Sequence, residues 1–191
     1  MAIAQMASLI KEGKQVLSKR GGTKFDLVYY VWKDALIGSI GGESIRVHAQ
    51  SGGGRGGAHP ENTFASYSPY RKTIAGKQRG GVIPPGLWFV RQPSLYTGEM
   101  KGPPISELIP IGDQIADFGE REYCAAPFLI HGPSRDKEKG KGSDGCIIVG
   151  AKQRHRLLKA VERAGGAILL VSVIVEEGDN FSKNLKLART A

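Results

Sequence analysis

Little in this chain of 191 residues suits a disulfide scaffold, a structural zinc site or a membrane span. It holds two cysteines, Cys124 and Cys146, too few for a disulfide framework and without CxxC spacing. Cys124 sits before an apolar stretch and reads as core. No apolar run approaches the length needed to cross a bilayer. The first twenty residues lack the unbroken apolar stretch and small-residue cleavage site of an export signal, because Lys11, Glu12, Lys14, Lys19 and Arg20 interrupt them. The expectation is a protein made in the cytoplasm outside the general secretory route. Acidic residues are also scarce, 18 against 27 basic, for a net charge of +9. That imbalance favours anionic partners such as nucleic acid, anionic lipid or a wall polymer, without choosing among them.

What is present is enough apolar residue, 40%, for one packed domain. Residues 1–24 read as a short amphipathic helix and a basic connector, an exposed or weakly docked appendage. From Phe25 the texture turns to strands. FDLVYYVWK is aromatic and β-branched, and SIRVHAQ alternates apolar with polar, with GSIGG as the turn between them. A glycine-rich loop follows at 51–63. GVIPPGLWFVRQ (81–92), ISELIPI (105–111), YCAAPFLIH (123–131), CIIV (146–149) and AILLVSVIVE (167–176) are further strand candidates. AKQRHRLLKAVERAG (151–165) is the one convincing helix, with Leu157, Leu158 and Val161 as its apolar stripe. The expected fold is mainly β, a β-rich α+β domain over 25–176 forming an open barrel or sandwich with one or two helices. A polar tail, 177–191, completes the chain.

The chemistry concentrates in PFLIHGPSRDKEKGKGSDGCIIV, residues 127–149. One apolar strand ends at His131, Gly132 turns the chain, and Ser143, Asp144 and Gly145 lead into Cys146 at the head of another. If the two strands are neighbours, thiol and imidazole share one sheet edge, as a nucleophile and its base require. A thiol with a pKa of about 8.5 is little ionised at neutral pH, and an adjacent imidazole raises its thiolate fraction. Gly145 permits a tight turn, and backbone N–H groups of Gly145 and Cys146 are candidate donors to an oxyanion. Ser143 can bond within the loop or to substrate. The local pattern equally fits a buried structural cysteine beside an unrelated histidine.

HG, a loop, then SxGC and an apolar strand resembles the signature of the L,D-transpeptidase (YkuD-type) catalytic domain. GVIPPGLWFV resembles that family's G-x-I-P-x-G-x-[YW] element, and RVHAQSGG the strand and turn before it. The order matches over residues 25–176. Three features depart from the family: Asp144 stands where it usually has His, Ile147 and Ile148 where it often has Arg, and the loop from His131 to Ser143 is short. In these respects the chain resembles compact L,D-transpeptidase-like effectors of the type VI secretion system.

The resemblance implies that Cys146 attacks a peptidoglycan stem peptide with His131 as base, as an L,D-carboxypeptidase or an L,D-transpeptidase exchanging D-amino acids. Ser143, Gly145 and Gly132 would shape the site, and Asp144 would orient His131 or stand as a solvated acid. It implies no cofactor, action in the periplasm of a target bacterium, and secretion machinery and an immunity protein as partners. Tyr123 and Trp88 are weak candidates for a substrate groove, since strand aromatics are more often core. His48 and His59, taken with His131, lack the carboxylate or cysteine spacing of a metal site, and none is expected; His155, on the basic helix face, reads as solvated. Arg71, Lys72, Lys77 and Arg79 would attract an anionic polymer or simply be solvated. The alternative function is a basic β-domain that binds nucleic acid or anionic wall polymer without chemistry; the single Arg in the glycine-rich loop argues against nucleic acid.

Overall fold

The computed structural model describes residues 3–19, 24–52, 72–74, 77–79, 83, 85–94, 104–112, 128–133, 143 and 145–172. At 3–6, Trp32 and the strands within 72–79 it describes the backbone alone. The element order is α1 (Ile3–Lys19), β1 (Leu27–Tyr30), a single 3-10 turn (Val31–Lys33), β2 (Ala35–Ile40), β3 (Glu43–Ser51), β4 (Lys72–Ile74), β5 (Lys77–Arg79), β6 (Gly86–Val90), β7 (Ser106–Pro110), β8 (Phe128–His131), β9 (Ile147–Val149), α2 (Ala151–Arg163) and β10 (Ala167–Ser172). Eight strands close into a barrel in the order β1-β10-β6-β7-β8-β9-β3-β2, and β4 pairs with β5 in a separate ribbon. Among the described residues the fold is therefore mainly β with two helices, as expected, but the sheet is a closed barrel rather than an open barrel or sandwich. Closure is made where β1 runs parallel to β10, Leu27 opposite Leu169 and Tyr30 opposite Ser172.

Alternation explains the wall. Along β3, Ile45, Val47, Ala49 and Ser51 are buried while Ser44, Arg46 and His48 are exposed, the period of two that a strand with one wet face requires. GSIGG is more than a turn: its Gly38 lies inside β2, where a Cβ would stand 1.9 Å from the Asp26 carbonyl oxygen. The close backbone approach is why glycine occupies a strand interior here. Gly41 and Gly42, both at positive φ, make the β2–β3 turn.

The β6 and β10 pair is buried on both faces, Leu87 alone being half-buried. Trp88, Phe89 and Val90 are fully buried and all six residues of β10 are covered. α1 accounts for part of this, correcting the expectation of an exposed or weakly docked appendage. The helix packs on β6, β7 and β10, Leu9 is buried, and a Cβ on Gly13 would meet Phe89 and Ile111 at 2.7 Å. Burial of a leucine side chain of this kind is worth about 2 kcal/mol. α2 lies against β3 through Leu157, Leu158, Ala160 and Val161. Arg156 and Arg163 both bond Glu43, the first at 2.9 Å, and hold the carboxyl below its usual range.

Candidate functional site

His131 ends β8, and Cys146 precedes β9 by one residue. The two strands are parallel neighbours, with Ile130 opposite Ile147 and His131 opposite Ile148. Ile130, Ile147 and Val149 belong to the barrel core, whereas Leu129, His131 and Ile148 do not. Alternation therefore puts His131 and Ile148 on the outer face, and carried back two residues it puts Cys146 there as well. A strand spacing of about 4.8 Å and a rise of about 3.3 Å per residue separate the two Cα atoms by roughly 8 Å. That gap is within the combined reach of a thiol and an imidazole side chain.

The imidazole is buried and oriented. Its Nδ1–H donates to the Gly132 carbonyl at 2.5 Å. A carbonyl only accepts, so the proton sits on Nδ1 and Nε2 carries the basic lone pair. Burial drives the His131 pKa below its usual 6.5; the Gly132 carbonyl opposes that shift, and the Arg154 cation adds to it. A neutral imidazole, ready to accept a proton, is the resting form at neutral pH. The Cys146 thiol forms no disulfide and is half-buried.

Two serines hold the turn that presents Cys146. Ser143 Oγ donates to the Cys146 carbonyl at 2.5 Å and accepts from Gly52 N–H at 3.2 Å, while Ser143 N–H donates to Gly52 O at 2.9 Å. Ser51 Oγ donates to the Gly145 carbonyl at 3.0 Å and accepts from Ile83 N–H at 2.9 Å. Ser143 thus bonds within the loop, tying the turn to the end of β3. Gly145 has φ +116°, and a Cβ there would stand 2.3 Å from the Phe128 ring. Both conformation and space require glycine.

Gly132 is crowded by a side chain alone, its virtual Cβ lying 2.2 Å from Arg154 Nη1. Arg154 is the residue missed in the sequence, though a signal was there. It shares the stripe of Leu157, Leu158 and Val161 at helical spacing, and an arginine in that stripe is 3% exposed. Trp88 proves to be core, not groove: it is fully buried, edge-on to Phe128 with ring centroids 5.4 Å apart, and offers no face to a substrate. His48 and His155 are exposed on different elements. Asp144, Tyr123, Cys124, His59, Arg71 and the tail 177–191 lie outside the described residues, as do the side chains of Lys72, Lys77 and Arg79.

No protein-family model, curated protein or solved structure matches this chain.

Proposed function

We propose that the chain is a cysteine acyl-transferase acting on peptidoglycan stem peptides, with Cys146 as nucleophile and His131 as base. The observation that supports this best is the parallel register of β8 and β9, which sets the histidine and the cysteine two residues apart on one outer face. The reduced thiol, the Nδ1-protonated imidazole and the glycine turn held by Ser51 and Ser143 suit the same chemistry.

In the reaction, Cys146 Sγ bonds to the carbonyl carbon of the diamino acid at the third stem position as its proton passes to His131 Nε2. The tetrahedral intermediate collapses, the bond to the terminal D-alanine breaks, and the imidazolium protonates the departing amine. Water then releases a tripeptide stem, or an amine such as a D-amino acid takes the acyl group. The stem-peptide substrate and the setting, an antibacterial effector delivered by a type VI system into a target periplasm, follow from the resemblance of HG, SDGC and GVIPPGLW to the L,D-transpeptidase family.

The test is to incubate purified protein with disaccharide-tetrapeptide and follow D-alanine release and exchange with an added D-amino acid. Release or exchange that disappears in Cys146→Ala and in His131→Ala is expected. Full activity in Cys146→Ala refutes the reading, and salt-sensitive binding of polyanions with no turnover in any variant points to a binding module.

A further inference from the structure

Arg154 has no part in the chemistry just described, yet its surroundings are those of a site residue. It projects from the buried face of α2, and its contacts reach three other elements. Nε donates to the Pro104 carbonyl at 3.1 Å, on the approach to β7, and Nη1 donates to the Val149 carbonyl at 2.8 Å, at the end of β9. Gly132 follows β8 and packs on the same guanidinium, its virtual Cβ lying 2.2 Å from Nη1, 2.9 Å from Cζ and 3.0 Å from Nη2. Gly132 also supplies the carbonyl that accepts from the His131 ring. The guanidinium therefore backs the residue whose carbonyl orients the imidazole, while anchored to the strand that follows Cys146.

We propose that Arg154 is the positioning residue of this site, locking the end of β8 to the end of β9 and so fixing the His131 imidazole relative to Cys146. Its expected effect on turnover rests on the acyl-transfer reading; its effect on the imidazole does not. A planar fork bonds two carbonyls in fixed directions, which a lysine ammonium does not reproduce. A side chain at residue 132 would have to displace the guanidinium from this place.

The charge acts in the same sense as the geometry. A cation beside the ring disfavours the imidazolium and keeps Nε2 available as a base. Among the described residues, the other titratable or charged groups on the elements around His131 are Cys146 before β9, Glu107 on β7, and on α2 Lys152, His155, Arg156, Lys159, Glu162 and Arg163, these six all exposed and turned to solvent. Glu107 is paired with Arg91 at 2.9 Å.

Two measurements on Arg154→Met and Arg154→Lys decide the matter: the NMR titration of the His131 ring, assigned with His131→Gln, and the kinetics of D-alanine release. In Arg154→Met the inflection of His131 should rise by about half a unit or more, and kcat should fall by about tenfold to a hundredfold with KM changing less than about twofold. Arg154→Lys should keep the depressed inflection and still lose about tenfold in kcat. A folded Arg154→Met with the His131 inflection and kcat of the wild type overturns the proposal. Should Arg154→Met fail to fold, Arg154→Lys with wild-type kcat overturns it, and a selective loss of kcat supports it. If the wild-type protein releases no D-alanine, the acyl-transfer reading fails alone, because the ring titration still tests what Arg154 does to His131.

Discussion

Among the described residues the barrel contains two parallel ladders, and they are held together in different ways. In one, β1 against β10, four residue pairs are aligned and nearly every side chain is buried and apolar. Asp26 completes that ladder, its backbone N–H bonding Ile168 O and its carboxylate accepting from Ile168 N–H at 2.7 Å. In the other, β8 against β9, only two pairs are aligned, and the strand ends carry His131 on one side and Cys146 on the other. Glycines at 132 and 145 flank it, and hydroxyl and guanidinium groups, rather than aliphatic packing, hold its ends. A parallel pair is slightly weaker per residue than an antiparallel one. The barrel closes itself along one such seam and leaves the other short, with a buried imidazole and a half-buried thiol at its ends.

The comparison is sharpened most by truncating the reactive ladder. Cys146→Ala should lower stem-peptide turnover by about three orders of magnitude or more while leaving the urea midpoint almost unmoved, because the side chain is small and half-buried. The sealed ladder should behave in reverse. Leu169→Ala removes a fully buried side chain opposite Leu27 and should cost about 3 kcal/mol in urea unfolding, with turnover per folded molecule retained. Ser143→Ala belongs to the reactive side and should do some of each. It strips Gly52 N–H of its acceptor and releases the Cys146 carbonyl, for a loss of about 1–2 kcal/mol. A Ser143→Ala protein with unchanged turnover would separate the serine clamp from the chemistry.

The smallest effect is in pH, where each ladder contributes one buried titratable group. His131 has a folded pKa below its unfolded 6.5, so unfolding takes up a proton at mildly acid pH. Its contribution is fully present above 6.5 and is lost as the pH falls from there toward the folded value. Tyr29, on β1, is fully buried, and burial, with Asp34 adding and the Ser51 backbone opposing, lifts its pKa far above 10.0. There the folded state keeps a proton that the unfolded chain loses, so stability falls as pH rises past 10.0. Urea midpoints across pH should therefore show an acid limb that flattens in His131→Gln and an alkaline limb that flattens in Tyr29→Phe. Limbs unaffected by these substitutions would assign the titrations elsewhere.

Much of this was legible in local patterns. The strands at 86–90, 106–110, 128–131 and 147–149 and helix α2 announce themselves by apolar runs, turns and stripe. Order along the chain also marked His131 and Cys146, because HG and SDGC are local signals. What could not be read locally was anything set by partners remote in sequence. β2 was hidden because Gly38 signals a turn unless the nearby Asp26 backbone is known. Closure depends on β1 meeting β10, some 140 residues later. The docking of α1 depends on Gly13 fitting against Phe89, which no helical period displays. Arg154 was masked by its charge, which reads as surface until the stripe it interrupts is drawn.

Acid quenching followed by peptide mass mapping tests whether Cys146 takes the acyl group with the help of His131. After brief incubation with disaccharide-tetrapeptide, the peptide containing Cys146 should carry a disaccharide-tripeptide thioester in the wild type and little or none in His131→Ala. A wild-type protein that turns over substrate with Cys146 never acylated, or with the adduct on Cys124, would contradict the account.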